Sequence, residues 1–234
     1  MSLGLALVGD GRMSRAIAAL APAAGHRVVT VIGGAENAGG AALTAARLAG
    51  VDVALEFTTP AAAPGNLLRL AALRVPTVTG TTGWLDRLPE VRAAVTGHRA
   101  ALLHAANFSV GVQLFLRAAQ SLAARFAGRP GFGAWVEETH HAGKQDAPSG
   151  TAKALVAALR AGDPAREFPV TSIRAGHVPG IHTVTYDAPH ETIRFRHEAR
   201  GREAFAAGAL AAAAWLVGRE GVYTFDQMLF GEAP

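Results

Sequence analysis

Between Glu137 and Ala152 the chain sets Glu137, Glu138, His140, His141, Lys144 and Asp146 within ten residues, its densest group of acid, histidine and lysine side chains. Gly150 and Thr151 open a helix directly after them, with Ser149 as the expected N-cap. Free amides and the helix dipole at such a start favour a carboxylate. An ammonium and an imidazole beside that cradle suit reduction of a carbon–nitrogen double bond, where hydride arrives at one atom and a proton must be supplied to the other. Adjacent histidines on a strand point to opposite faces, so one of His140 and His141 is expected to do chemistry. A zinc set of Glu138, His140 and His141 is the metal reading to weigh. The chain has no cysteine and no helical histidine spacing, so no metal is expected. Of 22 basic residues only Lys144 and Lys153 are lysine. Arginine does not give up its proton and lysine can, which singles out Lys144.

A second stretch carries binding chemistry. Leu5 to Ile17 reads as a strand, a glycine turn and a helix start. Gly9 allows the tight turn and Gly11 lets a pyrophosphate approach the backbone; Ser14, still small, holds the third position of the fingerprint. The segments Glu56-Phe57-Thr58-Thr59-Pro60 and Gly80-Thr81-Thr82-Gly83 follow later strands, and loops at strand carboxyl ends are where open α/β sheets bind ligands. They are expected to wall a nicotinamide. The acid that usually ends the second strand is displaced: Gly33 and Gly34 follow Ile32, and the nearest acid is Glu36. That removes repulsion against a 2′-phosphate, and Arg12 can help to bind one, so both NADH and NADPH are expected as cofactors.

These residues need a scaffold, and the hydrophobic pattern supplies one. Strand-like runs at 5–8, 28–32, 51–57, 75–79 and 100–104 alternate with helical segments at 13–23, 41–49, 60–73 and 90–96. Such alternation predicts a doubly wound parallel sheet. After Asn107 comes a long helix over 110–126, then strands at 134–141, 171–174, 182–186 and 191–197, with one helix at 150–160. In the last strand Ile193 and Phe195 share one face, and Thr192, Arg194 and Arg196 share the other. An alanine-rich helix from Arg202 and a tail over 223–230 close the chain. The fold class expected is α/β: a Rossmann-like doubly wound parallel sheet with an inserted α+β open-sheet domain. The dinucleotide domain takes 1–108, completed by 204–234, and the inserted substrate and oligomerisation domain takes 109–203.

Composition narrows the function classes. Half of the 234 residues are hydrophobic, enough for a sizeable core. Disulfides, thiol nucleophiles and iron–sulfur clusters are excluded, in keeping with a reducing, cytoplasmic setting. The formal charge of +4 is spread over scattered arginines without aromatic interleaving, so nucleic acid is not an expected partner, although the field draws in anions. The apolar run at 5–8 ends at Gly9 and Asp10, so a buried strand is expected there and no signal peptide or membrane span.

Taken in order, Gly9-Asp10-Gly11-Arg12-Met13, Gly80-Thr81-Thr82-Gly83, Asn107-Phe108-Ser109-Val110-Gly111 and His140-His141-Ala142-Gly143-Lys144-Gln145-Asp146-Ala147-Pro148-Ser149-Gly150-Thr151-Ala152 closely resemble the 4-hydroxy-tetrahydrodipicolinate (dihydrodipicolinate) reductase family. Ser172 to Gly176 and Gly180 to Thr183 look like its later signatures, so the resemblance runs nearly end to end. It implies reduction of a cyclic dicarboxylate by NAD(P)H in the diaminopimelate route to lysine, in a cytoplasmic homotetramer whose substrate enters between the domains. It implies His140 as acid/base, Lys144 as proton donor and substrate contact, and His141, Gly150 and Thr151 as further substrate contacts. Cofactor contacts would be Gly9, Asp10, Gly11, Arg12, Met13, Gly80, Thr81, Thr82, Ala105, Ala106, Asn107 and Phe108. The chain departs from the family in its length, in a glycine loop one residue shorter, in Ser14 for the last glycine and in the displaced acid. Two alternatives use the same elements: another small-molecule dehydrogenase, or a dinucleotide sensor without turnover. The intact His140, His141 and Lys144 argue against the sensor.

Overall fold

The structure is a computed structural model that describes residues 2–231. It divides into two compact units, one holding the chain up to Ser109 and again from Arg202, the other Val110–Gly201.

The first unit begins β1 (Gly4–Val8), α1 (Arg12–Leu20), β2 (Arg27–Ile32), β3 (Val53–Glu56), α2 (Ala63–Ala72), β4 (Thr77–Thr79), α3 (Leu88–Gly97) and β5 (Ala101–His104). The second unit contains α4 (Val110–Phe126), β6 (Gly133–His140), α5 (Gly150–Gly162), β7 (Val170–Arg174), β8 (Ile181–Ala188) and β9 (Glu191–Glu198). The chain then returns to the first unit with α6 (Glu203–Leu216), β10 (Gly221–Thr224) and α7 (Phe225–Phe230).

The first sheet is parallel throughout, in the order β10-β5-β4-β3-β1-β2. Every residue of β1 is buried because both faces are covered. Leu5 and Leu7 pack with Ile17 of α1 and Leu210 and Leu216 of α6. Ala6 and Val8 face Ile32, Leu43, Leu48 and Leu70 on the other side. The strand order reverses between β1 and β3, so a crevice opens at their carboxyl ends, the usual place for a ligand in this architecture.

Two elements differ from the sequence expectation. Residues 41–49 were expected to be helical, and they form turns. Alanine favours a helix only weakly when tertiary partners compete. Here Gly39 and Gly40 turn the chain with positive φ, the Asn37 side chain accepts from Ala42 N, and Arg69 Nε donates to the Leu43 carbonyl. The supposed tail contains β10, which pairs with β5 in the register Val222↔Leu102, and α7, which carries a Thr224–Gln227 capping box.

In the second unit a mixed sheet runs β7-β6-β8-β9, with β6 and β7 parallel and the other pairs antiparallel. One face packs on α4 and α5 through Val136, Val184, Tyr186 and Phe195 against Phe115, Ala119, Leu155 and Leu159. Phe126 stacks on Tyr186 at 4.0 Å between ring centres. The helices touch where Gly162 has no Cβ, since one would lie 2.2 Å from the Gln120 carbonyl oxygen.

Candidate active site

Strand period places the chemical residues of the second unit on one face. Glu138 and His140 follow Val136 at intervals of two on β6. Ser172 and Arg174 pair beside them on β7, and His182 pairs with Glu138 on β8. This is the face that carries α5, so the group lies where the apolar core ends and the α5 N-terminus begins.

Glu138 is the hub and is fully buried. Its Oε1 accepts from Ser172 Oγ at 2.7 Å, Arg174 Nη2 at 2.7 Å and Ser149 N at 3.1 Å. Burial alone would raise its pKa; the bonds from Arg174, Ser149 and Ser172 outweigh burial and hold it at about 2. Its Oε2 lies 2.8 Å from His140 Nδ1, close but off-axis, so neither atom has a well-directed hydrogen bond among the described residues. Burial lowers the His140 pKa, the Glu138 charge opposes that, and Lys144 and Arg174 lower it further. A neutral ring beside an ionised carboxylate carries its proton on Nδ1 and leaves Nε2 with a lone pair. Nε2 faces Gly180, where a Cβ would lie 3.1 Å away.

Ser149 caps α5 as expected: its Oγ accepts from Ala152 N at 3.2 Å. The same Oγ lies 3.1 Å from His182 Nε2, within hydrogen-bond distance for either tautomer of the ring. That bond suits a neutral His182, whose pKa is pushed down to about 4 by burial and then by His140. Gly150 follows at the first helical position, exposed, with open space where a Cβ would be and no bond to its amide among the described residues. Lys144 lies in the loop between β6 and α5, its Nζ 2.7 Å from Asp146 Oδ1. Arg174 Nη2 also donates to the Asp146 carbonyl at 2.6 Å, which ties the lysine turn to the Glu138 hub.

His141 lies just past the end of β6 and joins the cluster neither through Glu138 nor through His182. The second imidazole of the cluster, beside His140, is His182, and the ligand-type atoms of Glu138, His140 and His182 lie within 4.8 Å of one another. The zinc set weighed on sequence, which had His141 in that place, is therefore not the set the fold assembles. Arg174 already gives Glu138 the positive charge that a divalent ion would bring.

In the first unit, a cavity of about 320 Å³ opens at the β1/β3 crevice. It is lined by Gly11, Arg12, Met13, Phe57, Thr58, Pro60, Gly80, Thr81, Thr82 and Arg202. The size suits part of a dinucleotide. Gly9 turns at φ +105°, where a Cβ would strike the Phe57 carbonyl oxygen at 2.2 Å. Gly11 is the N-cap of α1 and supplies no side chain, so the first amides of α1 are left to an anion. A Cβ at Gly80 would enter the Phe57 ring. These features fit a dinucleotide cradle.

The cavity lining includes seven of the expected cofactor contacts. Gly9 and Asp10 shape the turn beneath it. Ala105, Ala106, Asn107 and Phe108 do not line it. Phe108 is 2% exposed and packs on Phe57 and Phe225, with ring centres 6.0 Å and 5.0 Å away. Arg202, at the α6 N-cap, was missed; nothing near it in sequence marks a ligand contact. Glu138, Ser149, Ser172, Arg174 and His182 were not expected as a network either. The period-2 placement of 138 with 140 and of 172 with 174 was visible, but their pairing across strands was not.

Family models match the chain at residues 3–108 as the N-terminus, and at 111–229 as the C-terminus, of dihydrodipicolinate reductase. A 4-hydroxy-tetrahydrodipicolinate reductase of Christiangramia forsetii is 32% identical over 97% of this chain and 98% of its own. The enzyme of the same name from Myxococcus xanthus is 40% identical over 82% of this chain and 73% of its own. The solved dipicolinate-bound dihydrodipicolinate reductase of Paenisporosarcina sp. TG-14 has the same fold, with a TM-score of 0.78 and 18% identity over 96% of this chain and 98% of that one.

Proposed function

Since the chain belongs to the dihydrodipicolinate reductase family, we propose that the Glu138 cluster and the α5 N-terminus carry the substrate half of that family's reaction. The reaction is the NAD(P)H-dependent reduction of 4-hydroxy-tetrahydrodipicolinate to tetrahydrodipicolinate in the diaminopimelate route to lysine. The change in formula is a gain of one hydride and one proton and the loss of water. The nicotinamide dinucleotide supplies the hydride when bound.

The remaining steps belong to side chains. Gly150 N–H, Thr151 and the α5 dipole bind one substrate carboxylate, with His141 at the edge of the same loop. Lys144 supplies the proton, held at the loop by Asp146. His140 stays neutral, accepts a hydrogen bond at Nε2 and relays protons, with Glu138 stabilising its charged form when it takes one. Arg174, Ser172 and Ser149 keep Glu138 ionised so that it can do so. The observation that carries this reading is the buried Glu138 hub, which sets its charge 2.8 Å from His140 Nδ1 and accepts from Ser149 N at the start of α5.

In the first unit, the α1 amides, Arg12 and Arg202 hold the pyrophosphate, and Phe57, Gly80, Thr81 and Thr82 wall the nicotinamide. Gly9 and Asp10 form the turn, and 105–108 (Ala105, Ala106, Asn107, Phe108) support it from the end of β5. Both NADH and NADPH are accepted. Glu36 is bound by Arg47 through two bonds of 2.9 Å and by Gly33 N at 3.2 Å, so its charge is neutralised before a 2′-phosphate meets it. A homotetramer in the cytoplasm is part of the proposal. The face of the mixed sheet away from α4 and α5 carries Thr139, Ile173, Thr183 and Thr185, and Ile173 is 43% exposed. Among the described residues no helix is long and apolar enough to cross a membrane.

Gly150→Pro tests the carboxylate cradle. Ser149 has φ −63° and ψ 160°, which a following proline accepts, and proline is at home in the first helical position. The substitution therefore removes one amide donor and keeps the helix. Calorimetric titration with dipicolinate is expected to show binding about tenfold weaker than in the parent. Unchanged binding would place the carboxylate elsewhere.

A further inference from the structure

Glu56 is the other fully buried acid among the described residues, and the reaction proposed above gives its side chain no role. It ends β3 at the carboxyl edge of the first sheet, paired in register with Thr79 at the end of β4. No lysine, arginine or histidine pairs with it among the described residues. Its donors are hydroxyls and one amide. Oε2 accepts from Thr79 Oγ1 at 2.5 Å, and Oε1 accepts from Thr58 Oγ1 and, at 3.4 Å, from Asn66 Nδ2 of α2.

The bonds continue into a closed ring. Thr79 Oγ1 also accepts from Thr81 N at 3.4 Å. Thr81 Oγ1 accepts from Thr58 N at 2.8 Å, and the Thr58 hydroxyl returns to Glu56. Two strand ends and two loops are thereby locked by one carboxylate. Asn66 extends the lock, since its Oδ1 accepts from Asn37 Nδ2 at 2.9 Å and Asn37 holds Ala42 N. Thr58 and Thr81 line the cavity; Glu56 and Thr79 lie behind them. The hydroxyl protons of Thr58 and Thr79 are both used on Glu56. The Thr81 hydroxyl proton has no acceptor among the described residues, and its oxygen is already held by Thr58 N.

We propose that Glu56 is a positioning residue for the dinucleotide: through this ring it presets the Thr58 and Thr81 wall and holds the Thr81 hydroxyl as a donor towards a carbonyl acceptor in the cavity. The proposal rests on the reading of the cavity as the dinucleotide site. Its physical basis is preorganisation, because a wall fixed before binding loses less freedom on binding. A buried carboxylate with no cation is costly unless fully hydrogen-bonded, and here the donors it collects are those the wall needs fixed.

The test uses Glu56→Gln, Thr79→Val and Thr79→Ser in the full chain. Glu56→Gln keeps the shape and removes one acceptor. Thr79→Val keeps the volume and opens the ring. Thr79→Ser restores the hydroxyl. Binding of NADPH is followed by the fluorescence of the reduced nicotinamide, and amide exchange at Thr58 and Thr81 is followed in the chain without ligand. Expected results are NADPH dissociation constants about tenfold higher in Glu56→Gln and Thr79→Val, recovery in Thr79→Ser, and a KM for the dicarboxylate within about twofold of the parent. The Thr58 amide should exchange about tenfold faster in the first two variants. If Thr79→Val does not fold, Glu56→Gln decides alone. NADPH binding within about twofold of the parent in Glu56→Gln, or dicarboxylate and NADPH binding weakened equally, overturns the proposal. A parent chain that does not bind NADPH overturns the reading of the cavity itself.

Discussion

Glu138 receives donors from Ser172 and Arg174 of β7 and from the start of α5, and its charge lies 2.8 Å from His140 Nδ1. Glu138→Gln removes the charge that sustains the imidazolium of His140 and leaves Arg174 without its partner. The His140 pKa, already low, is expected to fall further, and the acidic limb of the kcat profile should move to lower pH. Turnover should drop roughly 10²-fold. Titration of the His140 ring protons by nuclear magnetic resonance checks the shift, and an upward move would contradict the assignment. In Lys144→Met the sign reverses, since the ammonium is one of the charges that depress His140. The stretch proposed for the chemistry stands out in sequence because it gathers His140, His141 and Lys144 in five residues. The hub was harder to read. Glu138 looked like one acid among several, and its importance comes from cross-strand partners, Ser172 and Arg174, some 35 positions away.

At the scale of elements, α6 shows how small residues set a position. Ala206, Gly208, Ala209, Ala212 and Ala213 are buried, and a Cβ at Gly208 would lie 1.7 Å from the Phe108 carbonyl oxygen. Gly208→Ala gains helix propensity and still should destabilise, because backbone cannot retreat from the clash. A loss of about 1–3 kcal/mol in urea unfolding is expected, and a stabilised variant would contradict the packing described. The strand and helix order was legible because the hydrophobic period changes sharply between elements. The segment 41–49 misled because alanine content signals helix while Gly39, Gly40 and the bonds from Asn37 and Arg69 decide otherwise. β10 was hidden because its four residues are too short for a pattern, and its partner β5 lies over a hundred residues away.

At the scale of the whole molecule, acid stability follows from buried groups. His182 is held neutral, with its pKa pushed down to about 4, so it contributes stability above its ordinary 6.5 that is lost as pH falls towards 4. Glu138 is held ionised at about 2, and its contribution is present above 4.5 and lost as pH falls towards 2. Burial also lowers the pKa of His140 and His197 of the same unit, so the second unit should lose stability in two steps below pH 6.5, the upper one smaller in His182→Asn. Urea midpoints between pH 7 and 3 check this, and a flat profile would contradict the burial argument. The chain passes from the first compact unit to the second after Ser109, where regular strand–helix alternation gives way to a strand-rich pattern.

This chain belongs to a family that reduces the cyclic dicarboxylate, and Lys144 is the residue proposed to supply the proton. Steady-state oxidation of NADPH by freshly generated 4-hydroxy-tetrahydrodipicolinate, in the parent and in Lys144→Ala, tests it most directly. Ready turnover is expected in the parent and a fall of about 10²-fold or more in kcat for the variant, with the NADPH dissociation constant changed by less than about threefold. A parent that oxidises no NADPH with this substrate, or a variant whose kcat stays within a few-fold of the parent, would contradict it.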